Sequence, residues 1–398
     1  MIKTRGNKKS VFVAMSGGVD SSVAAALLLR QGFDVVGVHI RCYNVDGCAA
    51  QDAEDARRAA EVLGIPFYVF DFEKEYKEKV VDYMVRGYRE GITPNPDVMC
   101  NKEIKFGLFL EKALEMGADF IATGHYVRLA TSQWGIGYKD KKKTLNPIGY
   151  TLLAARDAQK DQSYFLWTLT QEQLKHCLFP IGDYLKPEVR VLARKFGLPN
   201  ADKKDSQGIC FLGKVTLTDF LKNYIPERRG EVLATTGEIL GEHKGAHYYT
   251  IGQRHIGVAN RGLTRTERGT TQTENMGPLY VAEKDIKTNT LVVAEGDDNP
   301  ALYRKEIELT NVNFIHSITQ SLNNPITVHT RVRYRQPLAK AKLMYADEMQ
   351  VNANPRKSAF RSASIRVLFE QPQRAVAPGQ SAVFYTKNGE MLGGGIIT

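Results

Sequence analysis

Short apolar runs alternate with longer amphipathic stretches over the N-terminal third of the chain. Val11–Met15 is a continuous apolar run that predicts a buried strand, and the stretch from Val19, closed by Gly32, predicts a helix. The same alternation predicts further strands over Asp34–Ile40, Pro66–Phe70 and Asp119–Thr123, and further helices over Ala50–Leu63, Glu73–Arg89 and Asn95–Met116. This order indicates a doubly wound parallel α/β sheet, in which ligands bind at the carboxyl ends of the strands.

The pattern changes further along the chain. Residues 131–150 combine charge with turn signals and predict a surface hairpin or a mobile loop, and residues from Gln162 to about Tyr224 are mostly helical. From about Gly230, short β-rich runs separated by Gly, Pro and Asn predict one or two small barrels. These runs are Ala246–Ile251, Leu279–Ala282, Thr290–Val293, Ile326–Tyr334, Ile365–Phe369 and Ser381–Tyr385. We therefore expect three domains: an α/β domain over 1–160, a small, mostly helical domain over 161–228, and a β-rich end over 229–398 that finishes in a barrel.

A glycine-rich turn, Ser16-Gly-Gly-Val-Asp-Ser21, joins the first strand to the first helix. Glycines let backbone N–H groups approach a phosphate, and the start of a helix adds its positive dipole. The hydroxyls of Ser16, Ser21 and Ser22 can donate further hydrogen bonds. Because no lysine follows the glycines, this is not the loop of P-loop NTPases. It resembles the loop of the PP-loop ATP pyrophosphatases; a βα turn without a ligand is the alternative.

Charge and composition narrow the choice of partner. The net charge of +10 favours a polyanion, and beside an ATP loop it favours nucleic acid. No apolar run approaches the ~18 residues of a membrane span. The basic N-terminus lacks the apolar core of a signal peptide. Five cysteines at irregular spacing do not suggest a disulfide scaffold, so we expect a cytoplasmic protein.

Two cysteines stand in segments that favour sulfur chemistry. Cys100 follows a predicted helix start at Asn95-Pro96, three residues after Asp97, which could act as a general base. Cys210 follows a flexible Ser-Gln-Gly segment close to two lysines, which favour a thiolate. A buried core cysteine is the alternative at both positions. Behind an ATP-activating loop, the pair suggests that one thiolate carries a persulfide while the other helps to release the sulfur.

The remaining cysteines lack such a context, whereas two basic segments suit RNA. Cys42 and Cys48 lack metal-ligand spacing, and Cys177 is predicted to be core in an amphipathic helix. Lys160-Asp-Gln162 could contact phosphate and base edges, or simply start a helix. Arg331–Arg335 is predicted to place three cations and an aromatic ring on one strand, as an RNA-contacting patch or a solvated edge. His125 could bind a phosphate or orient its own loop.

Taken in order, these segments resemble one family over nearly the whole chain. The motifs are Ala14–Ser21, Thr93–Lys102, Ala122–Tyr126, Lys160–Phe165, Asp205–Phe211, Tyr249–Arg254, Arg333–Gln336 and Pro378–Tyr385. They are similar to those of the tRNA-specific 2-thiouridylases. The resemblance implies a PP-loop domain like that of the adenine nucleotide alpha hydrolases, then a central domain and a C-terminal β-barrel. It also implies ATP-dependent adenylation of the C2 oxygen of the wobble uridine in tRNA, followed by replacement with persulfide sulfur.

The resemblance also assigns residues. ATP would bind along Ala14, Met15, Ser16, Gly17, Gly18, Val19, Asp20 and Ser21, with Ile40 and Gly124 at the nucleotide. The target base would meet Asn95, Pro96 and Asp97, and tRNA would contact Lys160, Asp161, Gln162, Arg333 and Tyr334. Cys210 matches the persulfide carrier, Cys100 its partner nucleophile, and Asp97 the acid/base. Mg2+ would accompany ATP, with Asp20 as a candidate ligand, and a cysteine desulfurase or a sulfur-relay protein would supply the persulfide.

The sequence departs from the family pattern at three places. The segment 252–260 differs from the usual motif, about 260–275 looks like an insertion, and Cys42 and Asp46 replace a Lys-Asn-Trp-type run. Two other hypotheses stay open. Another PP-loop ligase would not need paired cysteines, and a non-catalytic RNA-binding protein would leave the ATP loop unused.

Overall fold

The computed structural model describes residues 8–45, 47, 49–131, 149–205, 208–209, 211–213, 215–254, 256, 261–266, 269–275, 277–315, 325–345 and 364–398. The α-helices are α1 (Val19–Arg30), α2 (Ala49–Leu63), α3 (Glu73–Tyr76), α4 (Asp82–Arg89), α5 (Pro96–Met99), α6 (Phe109–Glu115), α7 (Gln171–Leu174), α8 (Lys186–Lys195) and α9 (Leu217–Lys222). Two π-helical segments, Lys77–Val81 and Cys100–Leu108, join α3 to α4 and α5 to α6. Short 3₁₀ helices lie at Ser163–Leu166, Ala246–Tyr248 and Pro300–Leu302.

The strands form a parallel sheet and an antiparallel hairpin in the N-terminal half, and mostly antiparallel sheets in the C-terminal half. In the N-terminal half they are β1 (Ser10–Ala14), β2 (Asp34–Arg41), β3 (Phe67–Asp71), β4 (Phe120–Ala122), β5 (Val127–Thr131), β6 (Tyr150–Ala154) and β7 (Cys177–Leu178). Those that follow are β8 (Gly230–Ala234), β9 (Ile239–His243), β10 (Arg261–Thr266), β11 (Gly269–Asn275), β12 (Leu279–Asp285), β13 (Thr290–Glu295), β14 (Tyr303–Phe314), β15 (Ile326–Arg331), β16 (Ala339–Tyr345), β17 (Ile365–Arg374), β18 (Ser381–Tyr385) and β19 (Met391–Ile397).

The N-terminal sheet is parallel, in the order β3-β2-β1-β4-β7, and confirms the predicted α/β class. Its edge strand β7 corrects one expectation. Cys177 is buried as predicted, but it lies in a strand rather than a helix, because the main chain of Ile121 pairs with it and with His176. The segment 161–228 therefore contributes a strand to the first sheet as well as α7, α8 and α9.

An antiparallel hairpin of β5 and β6 flanks the segment predicted as a surface hairpin or mobile loop. Thr131 pairs with Tyr150 at its outer end. Residues 132–148, between the two strands, lie outside the described residues.

The C-terminal part contains a four-stranded sheet, β12-β13-β8-β9, a β10-β11 hairpin and a closed barrel, β14-β17-β16-β15-β18-β19. The barrel confirms that prediction, but two strand predictions are wrong. Residues 246–248 form a 3₁₀ helix after Gly245, whose φ is +144°, and the Tyr248 hydroxyl is anchored on the Ile225 carbonyl. Strand β15 ends at Arg331, so residues 332–335 form a turn in which Arg335 has a φ of +65°.

The barrel shares a hydrophobic core with the parallel sheet. Val383 and Met391 of the barrel lie in one buried cluster with Phe106 and Phe109. Two hydrogen bonds reinforce this packing: the Tyr164 hydroxyl donates to the Ser381 carbonyl (2.8 Å) and Trp167 Nε1 donates to Ser381 Oγ (3.0 Å). In the part of the chain that the structure describes, no helix has both the length and the apolar character needed to cross a membrane.

Candidate active site

The glycine-rich turn between β1 and α1, residues 16–21, has the backbone features of an anion site, and we call it the anion turn. Gly17 has a φ of +77°, and a Cβ there would collide with the backbone carbonyl of Asp52. Gly18 is the N-cap of α1, and no side chain among the described residues caps that helix. The first N–H groups of α1 therefore remain available to an anion, next to the exposed Ser16.

The serines of this turn, for which we expected phosphate contacts, also bond within the turn. Ser21 Oγ accepts from the Ser16 amide (3.2 Å), and the hydroxyls of Ser21 and Ser22 donate to the Gly18 carbonyl (3.2 Å each). These bonds fix the backbone of the turn from within.

Asp20, in the first turn of α1, is held by residues far away in sequence. Both carboxylate oxygens accept from Lys186 Nζ at 2.8 Å, and one accepts from the Tyr126 hydroxyl at 2.9 Å. Burial, and then the charge of Asp20, raises the pKa of Tyr126, which stays a donor. Gly124 lets the end of β4 approach this turn, since a Cβ there would lie 2.6 Å from the Ser21 nitrogen.

The neighbouring strand β2 contacts the residue just before the turn. His39 Nδ1 lies 3.0 Å from the Met15 carbonyl, and burial lowers the pKa of His39, so the ring is neutral near pH 7. Ile40, at the end of β2, packs against one buried cluster together with Ala14 and against a second cluster that contains Cys100. Ile40 therefore contacts the core beside β1 as well as the cluster that contains Cys100.

The helix that carries Cys100 starts as predicted. Asn95 Oδ1 accepts from the Val98 amide (3.2 Å), and Pro96 occupies the first helical position. Burial raises the pKa of Asp97, with Lys105 opposing the shift, so this carboxyl takes up a proton more readily than an exposed one. The buried Cys100 begins the π-helical segment, a departure from regular helix that is frequent at functional sites.

The C-terminal barrel holds the segment just before this helix, which sequence reasoning did not anticipate. The Thr93 amide donates to the Pro378 carbonyl (2.7 Å), and Gln380 Nε2 donates to the Thr93 carbonyl (2.8 Å). The family motif at Pro378–Tyr385 marks this part of the barrel in the sequence, but nothing in the motif indicates that it contacts Thr93.

The second cysteine segment approaches the first through its flanking residues. Ile209 and Phe211 pack in the same hydrophobic cluster as Cys100, and Cys42 packs against that cluster as well. Cys210 itself, predicted to carry the persulfide, lies outside the described residues, as does Cys48.

The Lys160–Gln162 segment, predicted to contact tRNA, makes side-chain contacts with other parts of the protein. Asp161 is buried and pairs with Arg331 at 2.9 Å, and Gln162 Oε1 accepts from the Tyr126 amide at 3.0 Å. Lys160 is partly exposed and pairs with Asp205 at 2.6 Å. The structure thus places Lys160 at the surface and gives Asp161 and Gln162 internal partners.

The two predicted RNA contacts of the barrel lie in the turn after β15. Burial lowers the pKa of Arg333, whose Nη2 donates to the Ile251 carbonyl (3.3 Å). The Tyr334 ring lies 4.5 Å from that of Phe165, and the Phe165 carbonyl accepts from Asn101 Nδ2. Phe165 therefore contacts both Tyr334 and the helical segment that carries Cys100.

His125, for which two roles were open, is buried. Its Nδ1 lies 2.8 Å from Thr123 Oγ1, and its ring packs on Phe106. Burial, and then the charge of Lys105, holds the pKa of His125 well below its usual value. These contacts orient the loop after β4.

Sequence reasoning also missed the residues that hold the anion turn from the segment before Cys210. Asn200 Nδ2 donates to the Gly17 carbonyl and to Ser22 Oγ, both at 3.0 Å. Lys203 pairs with Asp52 and Asp55. These partners are about 150 to 180 positions apart in sequence, so no local pattern could indicate them.

Comparison with protein families accounts for most of the chain. Residues 9–214 match the family described as "tRNA methyl transferase HUP domain". Residues 218–295 match "tRNA methyl transferase PRC-barrel domain", and residues 304–397 match "Aminomethyltransferase beta-barrel domain".

Curated relatives are similar over nearly the full length. The chain is 44% identical to "tRNA-specific 2-thiouridylase MnmA 1" of Geobacillus kaustophilus, over 98% of this chain and 95% of that protein. It is 42% identical to "tRNA-specific 2-thiouridylase MnmA" of Thiobacillus denitrificans, over 97% of this chain and 99% of the relative. The protein of the same name from Bacillus licheniformis is also 42% identical, over 97% and 94%.

Proposed function

Because this chain belongs to the family of tRNA-specific 2-thiouridylases, we propose that it converts the wobble uridine of tRNA to 2-thiouridine, using ATP and persulfide sulfur. The observation that carries the proposal is that one stretch of chain contacts both sites: Asn200 donates to the Gly17 carbonyl of the anion turn, and Ile209 and Phe211 pack in the cluster that contains Cys100. Activation by ATP and attack by sulfur need such neighbouring sites. We place the reaction in the cytoplasm, where reducing conditions keep cysteines as thiols.

In the first step the C2 oxygen of uridine attacks the α-phosphorus of ATP, and pyrophosphate leaves. The amides at the start of α1 bind the polyphosphate, whose negative charge they stabilise. Asn95 and Pro96 position the base, and the Asp97 carboxylate takes the N3 proton as the C2–O–AMP bond forms. The uracil oxygen, a poor leaving group, thereby becomes part of a good one.

In the second step sulfur replaces the activated oxygen. The terminal sulfur of a persulfide on Cys210 attacks C2, and AMP leaves with the electron pair of the C2–O bond. The Cys100 thiolate attacks Sγ of Cys210, and the electrons of the cleaved S–S bond stay on the sulfur bound to C2. A second order has Cys100 attack first, so that hydrosulfide is released and then attacks C2. Both orders leave a disulfide between Cys100 and Cys210, which an external thiol reduces.

Two further components belong to the proposal. A cysteine desulfurase or a sulfur-relay protein would load Cys210. Mg2+ would be held by phosphate oxygens and by Asp20, whose two oxygens would first have to release the Lys186 ammonium that they now accept from. The ion would supply charge neutralisation at the polyphosphate.

The deciding experiment is mass spectrometry of tRNA nucleosides after incubation with ATP, Mg2+ and a persulfide source. The wild type should form 2-thiouridine, and Cys210→Ser should form none. Cys177→Ser is the matched control, because the buried Cys177 donates to the Gln173 carbonyl and a serine hydroxyl can do the same. Release of AMP with tRNA but no 2-thiouridine in the wild type would contradict thiolation and favour another PP-loop reaction.

A further inference from the structure

Asp205 lies at a junction of three cations from two other parts of the chain, Lys160 and helix α8. Its Oδ1 is 2.7 Å from Lys186 Nζ and 2.9 Å from Arg190 Nη2, and its Oδ2 is 2.6 Å from Lys160 Nζ. Burial opposes ionisation, but the hydrogen bonds from Lys160 and Lys186 lower the pKa of Asp205 to about 2. The carboxylate is therefore charged at every physiological pH and remains a strong acceptor.

One of these cations is shared with the anion turn. The Lys186 side chain is only 10% exposed, and its ammonium group bonds both Asp20 and Asp205. Because one ammonium group bonds both carboxylates, a movement of Lys186 toward one of them changes its contact with the other. Lys186 thus connects the first turn of α1 to Asp205.

The segment that precedes Asp205 is fixed to the rest of the protein, so it does not move away when the partners of Asp205 change. Asn200 is bonded to Gly17 and Ser22 of the turn, and Lys203 is paired with two carboxylates of α2. These side-chain contacts keep the segment attached to the turn and to α2.

We propose that Asp205 is a positioning residue that couples RNA binding at Lys160 to polyphosphate binding at the anion turn. The inference rests on the proposed function, which places RNA at Lys160 and ATP at the turn. An RNA phosphate that takes Lys160 leaves Asp205 with Lys186 and Arg190. Asp205 then draws Lys186 away from Asp20, and the freed Asp20 carboxylate can bind the cation that accompanies ATP. Each ligand therefore favours the other.

The test is a binding cycle that needs no turnover. The dissociation constant of α,β-methylene ATP with Mg2+, measured by titration calorimetry with and without tRNA, should differ at least about fivefold in the wild type. Asp205→Asn should bind both ligands but reduce this factor to nearly one. Asp202→Asn is the matched control, because Asp202 makes the same kind of ion pair, with Arg194, at an exposed position three residues away.

A second measurement on the wild type avoids any folding defect of Asp205→Asn. If ATP draws the cation to Asp20, Lys186 turns to Asp205 and loosens the hold of Asp205 on Lys160. Acetylation of Lys160 by sulfo-NHS acetate, followed by peptide mass spectrometry, should therefore speed up at least twofold with the analogue. The exposed Lys112, on α6, should not change.

The outcomes separate this inference from the proposed function. A wild type that binds neither ligand contradicts the proposed function. A wild type that binds both ligands independently overturns the coupling. So does an Asp205→Asn protein that keeps the full cooperativity, or a Lys160 that the analogue protects or leaves unchanged.

Discussion

Asp97 has the most specific chemical requirement of any residue in the proposed site. In the proposed mechanism it accepts the N3 proton of the base in the first step. Burial supplies that property by raising the pKa of Asp97 above the ordinary value. Its position is also fixed, because it follows the Asn95 cap and the Pro96 start of α5.

A pH profile tests this role directly. Asp97 acts as a base when ionised, so the single-turnover rate should fall as pH drops through its pKa. That limb should lie above about pH 4, the midpoint of an exposed aspartate. Asp97→Asn should lower the rate by about 10²- to 10⁴-fold and remove the limb. A variant that keeps the limb would assign it to another group.

Among single residues, the sequence predicts best those whose structural role depends on their neighbours in the chain. Asn95 and Pro96 were predicted from capping preferences alone, and the structure confirms them. Asp161 shows the opposite case: its motif suggests a surface contact, whereas the folded chain buries it against Arg331, 170 positions away. No property of residue 161 or its neighbours indicates that partner.

At the scale of elements, the anion turn depends on close packing between the end of β4 and the start of α1. Gly124 makes that approach possible, and the turn's own glycine, Gly17, fits against the backbone of Asp52. Both contacts involve main-chain atoms, which cannot move aside as a flexible side chain can. The element pair therefore has little tolerance for added volume.

Gly124→Ala should disturb this junction. The added Cβ would displace the first turn of α1, and overpacking of this kind costs about 1–3 kcal/mol. We expect the affinity for α,β-methylene ATP to fall about tenfold, equivalent to about 1.4 kcal/mol, in titration calorimetry. Gly117→Ala is the control, because Gly117 has a positive φ but open space around it. It should lose stability without losing affinity, and equal losses of affinity in both variants would refute the packing argument.

The order of elements was predictable, but their details were not. Hydrophobic periodicity predicted the parallel sheet, the helix over 95–116 and the closed barrel. The π-helical stretch Cys100–Leu108 was predicted as ordinary helix, because periodicity does not distinguish the two forms. The Arg331–Arg335 segment was predicted as one strand, since alternation cannot show where a barrel strand turns away.

At the scale of the whole molecule, the parallel sheet and the barrel cannot be treated as separate folding units. They share the cluster that contains Phe106, Phe109 and Val383, and Ser381 accepts a hydrogen bond from the buried Trp167. A defect on one side of this interface should therefore weaken both sides.

Scanning calorimetry can test that cooperativity. The wild type should unfold with the sheet and the barrel in one transition. Ser381→Ala leaves the Trp167 N–H buried without its acceptor, at a cost of about 1–3 kcal/mol. The melting temperature should fall while the transition remains single. Two separate transitions, with only the barrel affected, would show that the shared core does not couple them.

The hydrogen bond from Gln380 to the Thr93 carbonyl has a consequence for the protein while its chain is being synthesised. These residues are 287 positions apart, so the segment just before the Asn95 cap gains this contact only after Gln380 has been synthesised. A ribosome-bound chain that does not yet include the barrel lacks this support, just as it lacks the barrel's part of the shared core. A chain interrupted before Pro378 therefore lacks both hydrogen bonds that the barrel makes to Thr93.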